Sequence, residues 1–121
     1  EWIFGGLTYT DMPIAQIAYP AQNMFKDGTG VLLGAYGYGP TSYKFNTLTP
    51  QERINVALAY GKYIHPQYPK EFRAGTSVVW HRIPWTLGCY GIWNESTRRQ
   101  HYDTLCSIDN RIVLAGEHCS H

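Results

Sequence analysis

Residues 80–93 read WHRIPWTLGCYGIW, from Trp80 to Trp93, and gather three tryptophans, a tyrosine and a cysteine beside one proline and two glycines. Trp and Tyr each bring a large apolar body with a polar edge that needs a partner when buried, so the cluster suits a pocket that receives a flat ligand. The same residues also suit a pair of strands that packs its aromatics into a core. The choice between a fold built around a ligand and a fold with an aromatic core rests on what flanks the stretch.

Upstream, Thr76 to His81 is β-branched and reads as a strand leading into the aromatic segment. Downstream, Asn94 to Asp103 is polar and is expected to be a loop at the surface or over a pocket entrance. Asn94-Glu95-Ser96 matches a glycosylation sequon, a motif too short to carry weight. Arg111 to Glu117 is a short apolar run ending in glycine, which suits a central strand of a parallel sheet, where ligands lie beyond the carboxyl ends. A tight surface turn is the alternative there. His118, Cys119 and His121 are not accompanied by a second ligand cluster at zinc-like spacing, so no metal is expected.

In the amino-terminal half, Gly5-Gly6, Thr8, Thr10-Asp11 and Pro13 are turn formers and predict irregular backbone over residues 1–13. Ile14 to Tyr19 alternates as a strand ended by Pro20, Asp27-Gly28-Thr29-Gly30 is a turn, and Val31 to Tyr36 is the partner strand of an antiparallel pair. Gly28, Gly30 and Gly34 mimic a dinucleotide fingerprint, but no apolar strand precedes them and no helix follows. Thr49-Pro50-Gln51-Glu52 predicts a capped helix start, and Ile54, Ala57, Leu58, Gly61 and Ile64 then share one face, fit to pack on a sheet, before His65-Pro66 ends the helix. Pro66 to Gly75 reads as a connection.

A net charge of +1, from ten basic and nine acidic residues dispersed along 121 positions, leaves no patch for nucleic acid or an anionic membrane. No apolar run approaches the roughly 20 residues of a membrane span. Three cysteines, Cys89, Cys106 and Cys119, fit neither a disulfide framework nor paired zinc ligands, so a reduced, cytoplasmic chain is the simpler expectation, with a secreted or periplasmic one as the alternative. With Glu1 at its start and His121 soon after an apparent buried strand, the chain is expected to be processed or one part of a larger assembly.

Three of these motifs, in this order, resemble the flavin amine oxidase superfamily, which includes monoamine oxidases and L-amino-acid oxidases. Trp80, Pro84-Trp85 and Gly88-Cys89-Tyr90 are similar to its aromatic segment. Gly5-Gly6, then Thr10-Asp11, Pro13 and an apolar strand closing on Tyr19-Pro20, look like the L-amino-acid oxidases more than the monoamine oxidases. Arg111 to Glu117 is similar to the strand that returns the chain to the FAD domain.

The resemblance implies an α+β fold: an antiparallel or mixed sheet with a packed helix, the substrate-binding portion over residues 1–105, and over 106–121 the return strand and turn that join a parallel FAD-domain sheet. It implies that Trp80 lies close to the flavin, that Trp85 and Tyr90 wall the substrate, and that Tyr36 of Ala35-Tyr36-Gly37 bonds the substrate carboxylate. Gly116 would let backbone approach the cofactor and Glu117 would accept bonds from its ribityl or neighbouring hydroxyls. Cys89 stands where monoamine oxidases attach their flavin covalently, but Leu87 replaces the small residue of that motif, and non-covalent FAD is expected.

No catalytic acid or base is implied within these residues. The implied reaction is oxidative deamination of an L-amino acid by oxygen to a 2-oxo acid, ammonia and hydrogen peroxide, with an amino-acid 2-monooxygenase or a monoamine or polyamine oxidase as alternatives. A non-catalytic binding domain derived from this fold is the rival from another class. The family's amino-terminal glycine-rich motif, its carboxylate-pairing arginine, its lysine near the flavin and its closing helix have no counterpart here, so companion chains and an oligomer are expected.

Overall fold

Ile14 and Ile17, both fully buried, carry the core of the amino-terminal half. The structure is a computed structural model that describes residues 3–22 and 28–119, and the chain forms two units, Glu1–Val78 and Val79–His121.

In the first unit, β1 (Leu7–Tyr9) pairs antiparallel with β2 (Gln16–Ala18) in the register Leu7↔Ala18, Thr8↔Ile17, Tyr9↔Gln16. β1 therefore lies within the stretch expected to be irregular. The turn formers around it make the hairpin connection instead: Thr10 Oγ1 accepts from Met12 N (3.1 Å), Ala15 N donates to Met12 O (2.9 Å), and Ala15 takes φ 58°. The expected partner of the second strand is present only as an isolated antiparallel bridge, Ala18↔Leu33, with both backbone bonds made (3.0 and 3.2 Å). β2 is thus bordered on both sides, by β1 and by residues 33–36, and Ile17 within it and Ile14 just before it are completely buried. The turn expected at Asp27-Gly28-Thr29-Gly30 begins outside the described residues.

Three helices follow: α1 (Pro40–Asn46), α2 (Pro50–Ile64) and α3 (Tyr68–Glu71). α1 is not among the expected elements, although Pro40 suits its first turn. α2 starts as its sequence predicts: Thr49 Oγ1 accepts from Glu52 N (3.3 Å) while Glu52 Oε2 accepts from Thr49 N (2.7 Å). That exchange, chiefly the bond from the Thr49 backbone, holds the Glu52 carboxyl below its ordinary pKa. Arg53 is buried at the helix start, where Nη1 donates to Leu48 O (2.7 Å) and Nε to Ser77 Oγ (2.9 Å), tying residue 77 to α2.

The face around Gly61 meets α3 in place of the expected sheet, because Gly61 has no side chain and the Tyr68 ring lies on it. Beyond α2, His65 Nε2 and Tyr19 Oη are 2.7 Å apart, and Tyr19 Oη is 2.8 Å from Thr8 Oγ1, so a polar chain links the helix end to the hairpin.

The second unit holds a 3-10 turn (Trp80–Arg82), α4 (Glu95–Cys106) and a closing 3-10 turn (Glu117–Cys119). The strand expected over Thr76–His81 is irregular backbone running into that first turn. The loop expected over Asn94–Asp103 is α4. Asn94 caps it, Oδ1 accepting from Thr97 N (2.8 Å) and Thr97 Oγ1 accepting from Asn94 N (3.2 Å), so the residues that mimic a sequon are a helix start. A bridge from Arg99 to Glu95 and a bond from Gln100 to Ser96 (3.0 Å) support the exposed face of a helix that is polar nearly all round. Tyr102 is its buried residue and meets Trp93 edge to face at 5.7 Å. From Val113 to Ala115 the backbone is without regular structure, following the small bridge Asp109↔Ile112, and Ile112, Val113 and Leu114 are exposed.

Candidate functional site

Gly91 is the point where the aromatic segment meets the end of the second unit. Its N–H donates to Glu117 Oε1 at 2.6 Å, a short, charge-assisted bond, and two residues on Trp93 Nε1 donates to His118 O at 3.2 Å. Close approach is possible because Gly91 lacks a Cβ, which would lie 2.9 Å from His118 Cβ. Gly116 is needed for a second reason: at φ 139° it turns the chain so that the His118 ring folds back over it, 2.7 Å from where a Cβ would stand.

Beside the clamp lies an open hollow of about 300 Å³ lined by Thr86, Gly88, Cys89, Tyr90, Gly91, Glu117 and His118. Tyr90 and Glu117, expected to face substrate and cofactor respectively, therefore share one space with Cys89, whose thiol is free. Trp80 and Trp85 are not among its lining residues; Trp80 opens the 3-10 turn and Trp85 is 97% exposed. The segment between them is a succession of turns, with Ile83 O accepting from Thr86 N and Leu87 N at 3.0 Å each and Leu87 at φ 50°, so neither an aromatic core nor a strand pair forms. Gly91 and His118 were not singled out as site residues from sequence. Their only signal is a glycine and a histidine at matching ends of two motifs.

In the first unit, Tyr36 is held by its backbone, its N–H shared between Ile14 O (3.1 Å) and Gln16 O (3.2 Å) at β2. The residue is 38% exposed, and its ring meets that of Tyr38 edge-on at 6.4 Å. Just before it, Gly34 lies so close to the Tyr68 hydroxyl that an added Cβ would overlap that oxygen. Burial on Gly61 and Gly34 raises the Tyr68 pKa above the ordinary tyrosine value. Tyr68 thus wedges the Ala35-Tyr36-Gly37 segment from one side while β2 pins it from the other, a role no local sequence signal announces.

Whether these residues fit a flavin can be judged from their geometry. His118 covers Gly116 and Gly91, while Glu117, its carboxylate oriented by the Gly91 N–H, and Tyr90 line one open hollow and offer an acceptor and a flat apolar face, the two features a flat group carrying hydroxyls takes. The residues fit. Among the described residues no cluster of His, Cys, Asp and Glu could hold a metal ion, and no helix is long and apolar enough to cross a membrane.

Comparison with known proteins gives the same direction. The family model for flavin containing amine oxidoreductases matches residues 4–121. An L-amino-acid oxidase of Sistrurus catenatus edwardsii is 32% identical over 98% of this chain and 23% of its own length. An L-amino-acid oxidase of Trimeresurus stejnegeri is 32% identical over the whole of this chain and 24% of its own length. An L-glutamate oxidase precursor of Streptomyces diastatochromogenes is 24% identical over 97% of this chain and 18% of its own length. The chain thus spans about a quarter or less of the length of these relatives.

Proposed function

We propose, for a chain that belongs to the family of flavin-containing amine oxidoreductases, that it is the portion of an L-amino-acid oxidase that grips the substrate and lines one edge of the flavin site. The observation that carries this reading is the bond from Gly91 N–H to Glu117 Oε1, which sets the Tyr90 wall and the Gly116-Glu117 turn around one cavity. The relatives named as L-amino-acid and L-glutamate oxidases support amino acids over simple amines as substrates.

When bound, FAD would supply the electron chemistry, accepting hydride from the substrate α-carbon and delivering the electrons to oxygen. The chain's own contribution is placement. Trp80, Gly116 and Glu117 are the residues proposed to hold the cofactor, Glu117 through its carboxylate, which the Gly91 N–H orients. Tyr90, with Trp85, limits the space for the substrate side chain and excludes water. Tyr36 donates its phenolic hydrogen to the substrate carboxylate, so that the α-hydrogen is presented in one orientation. None of these groups needs to accept a proton. Cys89 stands beside Tyr90 as a free thiol, and the flavin is read as non-covalently held.

The rest of the flavin domain lies outside these 121 residues, supplied by further sequence or by companion chains, and residues 106–121 are proposed to enter its parallel sheet. The exposure of Ile112, Val113 and Leu114 supports that placement, since such a run suits a strand covered on both faces. Product analysis tests the activity. An oxidase converts the L-amino acid to the 2-oxo acid with one equivalent each of ammonia and peroxide, whereas formation of an amide with loss of carbon dioxide would assign the monooxygenase outcome.

A further inference from the structure

Cys106 is the last residue of α4 and Cys119 closes the second 3-10 turn, 13 positions apart in sequence and adjacent in space. The Cys106 thiol donates to Cys119 O at 3.6 Å, which places the two residues side by side. The surroundings fix both ends. Cys119 N–H donates to Gly116 O (3.1 Å), and the residue before it is clamped by the Trp93 bond to His118 O. On the other side, α4 is anchored by Tyr102 packed edge-on against Trp93. Trp93 thereby touches both elements that carry the pair, so the two residues stay neighbours without a covalent bond. All three cysteines of the chain are free thiols.

We propose that Cys106 and Cys119 form a disulfide when the protein meets hydrogen peroxide, making this pair a redox-modification site on the turn that carries Gly116 and Glu117. The proposal rests on the oxidase reading only for the source of the oxidant, the peroxide released at each turnover. In the first step the Cys106 thiolate sulfur attacks one peroxide oxygen, the O–O bond breaks, and the departing hydroxide takes a proton to become water, leaving Cys106 as a sulfenic acid. In the second step the Cys119 sulfur attacks the sulfur of Cys106, the S–O bond breaks, and a second water leaves with the Cys119 proton. Two thiols and one peroxide give one disulfide and two waters.

The order follows from exposure. Cys106 is exposed and meets the oxidant, whereas Cys119 is half-buried and acts as the resolving partner. Burial, together with Cys106 and the charge of Glu117, raises the Cys119 thiol pKa, which keeps it protonated and slow toward peroxide. Cys89, also a free and exposed thiol, makes no contact of the kind that joins Cys106 to Cys119 and serves as the internal reference thiol.

The test uses the complete flavoprotein with added hydrogen peroxide, followed by alkylation, digestion without reductant and mass analysis of the peptides containing Cys106 and Cys119. The expected result is one linked peptide, lighter by two hydrogens than the sum of the free peptides and lost on reduction, with Cys89 still alkylated. Cys106→Ser and Cys119→Ser should each abolish it, and Cys89→Ser should leave it. Cys119→Ser treated with a sulfenic-acid probe should label at Cys106, which keeps the order of events testable. Absence of the linked peptide from the folded, peroxide-treated protein overturns the proposal. A second arm replaces peroxide by L-amino acid and oxygen, with and without catalase. A linked peptide formed with added peroxide but not during turnover supports the cysteine pair and contradicts the peroxide-forming activity.

Discussion

Replacing Gly34 by alanine tests the wedge behind Tyr36. The added methyl would overlap the Tyr68 hydroxyl and stand 3.3 Å from Tyr68 Cζ, and the ring cannot retreat because it already lies on Gly61, where a Cβ would overlap it as well. Overpacking of this kind costs about 1–3 kcal/mol. Gly34 is outside the left-handed region, so alanine also returns about 0.4–1 kcal/mol by restricting the unfolded chain, and the net loss is about 1–2 kcal/mol. Tyr68→Phe removes the overlapping oxygen and leaves a contact of 3.3 Å, tight but tolerable, so Gly34→Ala in that background should cost under about 1 kcal/mol. The assay is a double-mutant cycle by urea unfolding of the complete protein, with a coupling of about 1 kcal/mol or more expected between the two positions. Tyr36 lies two residues beyond Gly34 and hangs from β2 by its N–H, so the single variant should also raise KM for the amino acid, and Tyr68→Phe should restore it. Additive effects, with the double variant as unstable as the sum of the singles, would refute the wedge.

Four further outcomes follow from other contacts. Tyr36→Phe keeps the ring against Tyr38 but removes one bond to a charged partner, about 1.5–3 kcal/mol, so kcat/KM for an L-amino acid should fall roughly 10- to 150-fold while the corresponding amine is nearly indifferent; equal losses on both would place Tyr36 elsewhere. Thr49→Ala should cost about 1 kcal/mol in thermal unfolding by opening the cap of α2. Because the Glu52 carboxyl is held below its ordinary pKa, its contribution is present above the unfolded value of about 4.3 and lost as pH falls through the lower folded value; Glu52→Gln should remove that step from an acid titration of helicity. Trp93→Phe keeps an aromatic face for Tyr102 but loses the bond to His118 O, and should lower stability by about 1 kcal/mol and speed amide exchange at Gly91.

What was legible in the sequence was local chemistry. The Thr49-Pro50-Gln51-Glu52 start of α2 is written in residues that touch one another, and the structure places it at the expected position. The same kind of signal at Asn94 and Thr97 was legible in principle but hidden by an apolar content so low that the stretch reads as a loop; α4 buries only Tyr102, which packs on Trp93, and its cap and side-chain pairs support the rest. Strand positions were harder. β1 hides among turn formers because its pairing with β2, rather than its own propensity, makes it a strand, a dependence on context that strand residues commonly show. The site divides in the same way. Tyr90, Gly116 and Glu117 stand out by type and by resemblance, but the clamp between Gly91 and Glu117 joins residues 26 positions apart, and no periodicity reports a contact of that separation. Tyr68 was silent for the same reason: its importance lies in two glycines, Gly34 and Gly61, that make room for its ring.

The central claim, that these residues present an L-amino acid to a flavin, is tested most directly by mixing the purified holoprotein without oxygen with an L-amino acid and, separately, with the amine left by its decarboxylation. The account predicts rapid bleaching of the visible flavin band by the amino acid and slow or negligible bleaching by the amine. Equal bleaching by the two would contradict recognition of the carboxylate, and no bleaching by any amino acid, with flavin bound, would contradict the oxidase reading itself.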